Sequence, residues 1–312
     1  MLRCSSHWSR SWPFAALLLA LAARPALAWD DVGHMVVARI AWMQLSPAAR
    51  ERLVAVLAQA PADAGLAQLR PAPGAADRDA MFASYASTWP DIVRLPDPAA
   101  RHAYSRPPWH YIHWFWRDGA DGRPEAVPGL EPDSVNILTE LPRLVAVARD
   151  PRADAGQRAV ALAWILHLMG DIAQPVHASS RVSARFPRGD DGALLFMLDS
   201  TLSLHWFWDR TLAERYPRAA GETDAAYVRR IADAVMRGAP RAYTAEQLDA
   251  GGYERWARHS LAVAQREVYC CGIAEDHPAP PGYLAHADQV VEPAVALAGA
   301  RLAELLTSIL GS

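Results

Sequence analysis

The stretch from Ala161 to His177 reads ALAWILHLMGDIAQPVH and is apolar almost all the way round. A helix that is hydrophobic on every face is a buried one, so this segment is expected at the centre of the fold. His167 and Asp171 interrupt it at i and i+4, a spacing that places both on one face and lets two ligand groups converge on one ion. Pro175 ends the helix, and His177 follows where the chain can turn back over the same end.

Moving outward, LHWFWD repeats the device, with His205 and Asp209 again at i and i+4. Spacing alone leaves both pairs open, because a buried His-Asp couple is more often a hydrogen-bonded core pair than a metal site. TWPDIVR adds Asp91 and Arg94, and WHYIHW adds His110 and His113. Asp91 can equally be read as a helix cap after Pro90, and the aromatics Trp109, Tyr111, Trp114, Phe115 and Trp116 as core.

The N-terminus has the pattern of a secretory leader. Arg3 and Arg10 are basic, Phe14 to Ala23 is apolar, and Ala26 and Ala28 are the small residues that a signal peptidase reads. A membrane anchor needs ~20 apolar residues, about twice this run. Residues 1–28 are therefore expected to be removed, leaving a single domain over 29–312 that is periplasmic or extracellular. Cleavage makes Trp29 the terminus, five residues before His34. Its free amine, with an ordinary pKa of ~7.7 to 8.0, can serve a dication as a ligand.

The remaining chain reads as all-α. Ser46 caps a helix that opens on Pro47 and runs through Ala48 to Ala60. Further helices are expected at 133–149, 155–174, 199–213, 224–238, 251–269 and 286–309, with a strand only at Leu194 to Leu198. Residues 61–76 and 95–132 read as long irregular connections, which inside a compact domain are usually functional. No repeat, coiled-coil heptad or second membrane-spanning stretch is read.

Composition narrows the partners. The 52% hydrophobic content supports a large core, and the formal charge of −3 becomes three more negative once Arg3, Arg10 and Arg24 leave. There is no basic tail to bind nucleic acid nonspecifically, so any polyanion must be met by positive charge from elsewhere. After cleavage Cys270 and Cys271 remain, too close for an unstrained bridge, and a free or partly oxidised pair is expected ahead of a redox switch.

The ligand inventory is Trp29, His34, Asp91, His110, His167, Asp171, His177, His205 and Asp209. Imidazole and carboxylate without thiolate suit zinc, which usually takes three or four such ligands, so nine imply more than one ion.

With WDDVGH, TWPDIVR, WHYIHW, HLMGDIAQPVH, HWFWD and the closing AGARLAELL, the chain resembles the zinc-dependent class I nucleases, single-strand-specific enzymes that also act as 3'-nucleotidases. The resemblance covers the whole mature chain. It implies an all-α fold with three zinc ions at the bottom of a cleft. One would bind Asp91, His110, His167 and Asp171. Asp171 would bridge to a second, held by His34 and by the amine and carbonyl of Trp29. The third would bind His177, His205 and Asp209. Three dications would make the cleft electropositive in an acidic protein. Asp91 would orient the attacking water, Arg94 would neutralise phosphoryl charge, and a 5'-phosphate would result. Tyr111 matches the family's base-stacking position.

Two places depart from the family pattern. The family's Asp-x-Gly-Gly-Asn stretch is represented by Gly189-Asp190-Asp191-Gly192-Ala193-Leu194, without the Asn, and His113 stands where an Asp or Asn contacts the base. Zinc-dependent phospholipase C is a related rival, which spaces its first Trp and His further apart and ends its last helical pair with Glu. A secreted zinc-binding protein without turnover is a rival of another class, against which Asp91 and Arg94 speak. The expected substrates are single-stranded DNA and RNA and 3'-nucleotides, and a monomer without a membrane anchor is expected.

Overall fold

The computed structural model describes residues 30–94, 101–249 and 251–311, so Trp29 and the expectations placed on 1–28 lie outside the described residues. The fold is built around α5 (Ala155–Asp171), in which every residue from Ala161 to Asp171 is buried. Asp154 caps it by accepting from the Gln157 amide at 2.9 Å. Around it pack α1 (Asp31–Gln44), α2 (Pro47–Leu57), α3 (Arg78–Ile92), α4 (Ile137–Arg149) and α10 (Tyr283–Leu310). Between them in sequence come α6 (Leu204–Arg215), α7 (Asp224–Gly238), α8 (Ala245–Leu248) and α9 (Tyr253–Val263). The protein is thus mostly α, as expected.

Helices α1 and α3 were not anticipated from the sequence, and both carry site residues. In α3 the misleading signal is Pro90, which lies in the last turn, where it gives up one i→i−4 bond and the helix ends two residues later at Ile92. Helix α10 is long and apolar enough to cross a membrane by length and composition, yet much of it is buried against α1 within the core. The close approach of these two helices depends on Gly299. A Cβ there would lie 2.6 Å from Ile40 Cβ and 3.2 Å from the Val37 carbonyl. Gly299→Ala is therefore expected to lower stability by about 1–3 kcal/mol through overpacking, read as a lower urea midpoint at unchanged slope. An unchanged midpoint would show that the pair can separate at no cost.

The expected strand at Leu194 to Leu198 does not form. Asp191 and Ala193 adopt left-handed φ values of 55° and 65°, which turn the chain, and the segment contributes only the bridge Met197↔Ser203. The strands lie instead within the run read as irregular and just after His177. They are β1 (Trp114–Asp118), β2 (Pro124–Ala126) and β3 (Ser179–Arg181), in the order β2-β1-β3. β1 is antiparallel to β2, pairing Trp116 with Ala126, and parallel to β3, pairing Trp114 with Ser179. This small sheet positions the site. The Ile112 amide donates to the His177 carbonyl at 2.9 Å and Trp116 Nε1 to Ser179 Oγ at 2.8 Å, tying the His110 segment to the His177 turn.

The expectation of a free or partly oxidised cysteine pair is also corrected. Cys270 and Cys271 form a vicinal disulfide with Cα atoms 3.8 Å apart, on a backbone that is left-handed at Cys271 (φ 62°).

Candidate metal centre

Asp171, at the last turn of α5, is fully buried and has four imidazoles around it. Its Oδ2 is 3.0 Å from His110 Nδ1 and 3.1 Å from His167 Nε2. Its Oδ1 is 3.4 Å from His34 Nε2 and 3.5 Å from His177 Nδ1. Five further segments join α5 in bringing these groups and their neighbours together. His34 comes from the first turn of α1 and Asp91 from the last turn of α3. His110 and His177 come from single turns at Pro107–His110 and Pro175–Ala178, and His205 with Asp209 from α6.

All eight described members of the predicted ligand set fall into three groups whose ligand atoms lie within 4.8 Å of one another. These are His34/Asp91/His167, His110/His167/Asp171 and His177/His205/Asp209. The third is the set the resemblance implied for one zinc. In the other two the partition differs, because His34 groups with Asp91 and His167 while also facing Asp171. Asp91 is close to both, 3.7 Å from His167 Nε2 and 4.0 Å from His110 Nδ1.

Backbone carbonyls fix the imidazoles. His167, His177 and His205 place Nδ1 at 2.7, 3.1 and 2.6 Å from the carbonyls of Ser87, His110 and Gly192. A carbonyl can only accept, so Nδ1 carries the proton and each Nε2 keeps its lone pair, the arrangement that presents an imidazole to a metal. Gln174 does the same for a carboxylate, donating from Nε2 to Asp209 Oδ1 at 3.1 Å. Gln174 and Asp190 were missed from the sequence. Asp190 is buried and holds the amides of Arg181 and Ala193 at 2.9 and 3.1 Å, shaping the loop that carries Gly192. The Gln in QPVH was the available signal for the first, and the Gly189 to Leu194 stretch, which stands for the family's Asp-x-Gly-Gly-Asn element, contained the second without showing its role.

The electrostatics point the same way. Burial raises Asp171 well above the ordinary carboxylate range, and holds Asp91 at about 7 against the pull of His167 and Arg94. Asp209 is raised by burial too. Burial lowers His34, His110 and His177 well below the ordinary imidazole range, with neighbouring histidines adding to it. For His205 burial is outweighed by Asp209, and the net shift is upward. Apart from His205, these are imidazoles held neutral beside carboxylates that resist ionisation, with the positive charge of Arg94 at the edge. His205 Nε2 and Asp209 Oδ2 face each other at 3.2 Å, while both nitrogens of His34, Nε2 of His110 and His177, and Asp171 Oδ1 are buried without a hydrogen-bond partner among the described residues. Each such group costs about 1–3 kcal/mol, so the donor set fits bound divalent cations and fits an ordinary polar core poorly.

Arg94 Nη1 bonds Asp91 Oδ1 at 3.1 Å, with its side chain 10% exposed at the edge of the cluster. The Tyr111 ring centroid is 4.6 Å from that of His177 and 5.2 Å from that of His113. Beyond Tyr111 opens a cavity of about 510 Å³ bounded by His113, Phe115, Val135, Asp191 and Leu195 among others. Val135 and Leu195 are 45% and 50% exposed, unusual for large apolar side chains, and both face this cavity. His113 Nδ1 is 3.5 Å from Asp191 Oδ1, and burial, opposed by Asp191, lowers its pKa to about 4, so it is neutral at physiological pH. Trp109 packs on Trp164 at 4.8 Å between centroids, in keeping with a core role.

A helical scaffold enclosing buried His/Asp groups that could hold metal, beside an aromatic cavity, is an architecture suited to a metal-dependent hydrolase. The chain matches the family model described as S1/P1 Nuclease over residues 29–311. It belongs to that family, the class I nucleases, and with it to the phosphodiesterase hydrolases that act on nucleic acid. Comparison with curated proteins gives no match.

Proposed function

We propose that the mature protein hydrolyses single-stranded DNA and RNA to products with a 5'-phosphate and a free 3'-hydroxyl, and removes phosphate from 3'-nucleotides. The observation that carries this reading is the buried His/Asp cluster with partnerless ligand atoms, set against an aromatic cavity. The cavity accepts one unstacked base against Tyr111 and Phe115, which a base held within a duplex cannot reach.

In this reading Asp91, His110, His167 and Asp171 hold one zinc, Asp171, His34 and Trp29 a second, and His177, His205 and Asp209 a third. Imidazole and carboxylate donors without thiolate favour zinc. When bound, the ions supply Lewis-acid polarisation of the phosphodiester and of the attacking water, and the positive charge that an acidic protein otherwise lacks. Asp91 orients that water by accepting a hydrogen bond, with Arg94 holding its Oδ1 in place. The remaining N–H groups of Arg94 steady the phosphoryl oxygens as a fixed fork donor. His113 and Asp191 border the base, replacing the contacts that the family's missing Asn would make.

The family match starts at Trp29, directly after the expected cleavage position, which supports removal of residues 1–28, export, and a single domain over 29–312. Function as a monomer is part of the same reading. Phospholipase C activity is the alternative to exclude. Metal-loaded mature protein is expected to release acid-soluble nucleotides from denatured DNA and RNA far faster than from duplex DNA. Equal rates on duplex would defeat the single-strand reading, and cleavage of phosphatidylcholine without nucleotide release would defeat the nuclease reading.

Metal loading should also be linked to protons. A carboxyl raised to about 7, as at Asp91, is protonated below that pH, so a cation must displace the proton. Zinc affinity is therefore expected to rise from pH 6 to pH 8, with more protons released at the lower value. Calorimetric titration in buffers of different ionisation enthalpy measures the release, and no buffer dependence at pH 6 would contradict it.

A further inference from the structure

Arg301 of α10 is 6% exposed and has no ion pair among the described residues. Its Nε donates to the Gln247 carbonyl at 2.8 Å and its guanidinium lies 4.5 Å over the Trp256 ring. Its Nη groups make no hydrogen bond to a described residue and are not among the fully buried partnerless atoms, so they are open to a ligand or solvent on the cavity side. Buried charges are normally paired, and the comparably buried Arg39 is, with Asp77 at 3.0 Å. Burial and the nearby Arg255 lower the Arg301 pKa to about 10, which still leaves it charged at neutral pH.

Arg301 borders a cavity of about 290 Å³ whose lining includes no carboxylate. The Tyr243 hydroxyl also belongs to this lining and is buried without a hydrogen-bond partner. Val290, Pro293 and Leu297 supply an apolar wall from α10, and His259 stands at an exposed position on α9. The lining is polar at Arg301, Tyr243, Gln247, His259 and Ser260, with the Ser260 hydroxyl already donating to the Ile172 carbonyl, and one cation with one partnerless hydroxyl beside the apolar wall matches a single negative charge attached to an apolar body. A multiply charged, strongly hydrated anion would lose more water here than one guanidinium can replace.

We propose that this cavity binds a small organic carboxylate, its anion on Arg301 and Tyr243 and its chain against Leu297, Val290 and Pro293. The site is separate from the metal centre and holds whether or not the nuclease reading does. Its floor is nevertheless formed by Ala173 and Pro175, in the turn that joins Asp171 to His177.

The test is calorimetric titration of zinc-loaded mature protein with hexanoate and with hexanamide, the neutral analogue. Hexanoate is expected to bind one to one, and hexanamide about 10- to 100-fold more weakly. Arg301→Met should equalise the two, and Leu297→Trp, which fills the cavity, should remove hexanoate binding while leaving nucleotide release unchanged. Equal binding of acid and amide to the unaltered protein, a preference for the acid that persists in Arg301→Met, or hexanoate binding undiminished in Leu297→Trp would each overturn the proposal. The last outcome would place the carboxylate on the zinc ions instead. If Arg301→Met does not fold, the other two comparisons decide.

Discussion

Asp171→Asn is expected to lower hydrolysis of denatured DNA by at least about a thousandfold and to reduce the zinc bound per chain. The substitution keeps the shape of the side chain and removes its charge, so what is lost is the anion rather than the packing. That anion is the point on which the centre converges, with imidazoles from α1, α5 and the two single turns within 3.0 to 3.5 Å of its two oxygens. An amide offers one acceptor oxygen and an NH2 group, which cannot ligate and would face neutral imidazoles. The metal-free variant should remain folded, because burial already pushes this carboxyl well above its ordinary pKa and ionising it costs stability. Thermal melting separates the two effects. The apo midpoint should stay close to that of the unaltered protein, while the increment on adding zinc should shrink. A variant with full zinc content and wild-type rate would remove Asp171 from the account.

One additional residue before Trp29 is expected to have the next largest effect. In the proposed site the freed amine and carbonyl of Trp29 complete a zinc shared with Asp171 and His34, and an extra residue turns that amine into an amide with no lone pair to give. The neighbouring geometry supports this. The Asp30 amide donates to the Asp209 carbonyl at 3.1 Å, and Asp30 Oδ1 accepts from the Gly33 amide at 3.1 Å. The chain therefore enters α1 bound at one side to α6, which carries Asp209, and three residues before His34. Protein beginning Ala-Trp is expected to lose one zinc and roughly 100-fold or more in rate, a loss comparable to removing a group that orients a metal. Elemental analysis and nucleotide release, compared with protein beginning at Trp29, measure both. Equal activity would separate processing from catalysis.

Much of the site was legible because its ligands come in pairs at helical spacing. His167 with Asp171 and His205 with Asp209 needed only the period of a helix, and the apolar surroundings of the first pair foretold its burial. Spacing could not assign them to metal rather than to a hydrogen-bonded core. His34, Asp91 and His110 were candidates from their own segments, but that these would meet the two helical pairs, and in which groups, came only with the resemblance. The supporting groups were less visible for the same reason. Gln174 matters through Asp209, Asp190 through the loop bearing Gly192, and both relations cross the fold. The sheet escaped notice because β1 gains its parallel partner from the residues after His177, a pairing without any periodic signal. The misplaced strand at Leu194 to Leu198 shows the converse, a short apolar run whose backbone is turned by left-handed residues.

The most direct test of the central claim is the zinc content of protein that begins at Trp29, measured by elemental analysis beside its rate on denatured DNA with and without chelator. The account predicts three zinc ions per chain and loss of hydrolysis when they are removed, restored on adding zinc back. Full activity in protein stripped of metal would contradict it.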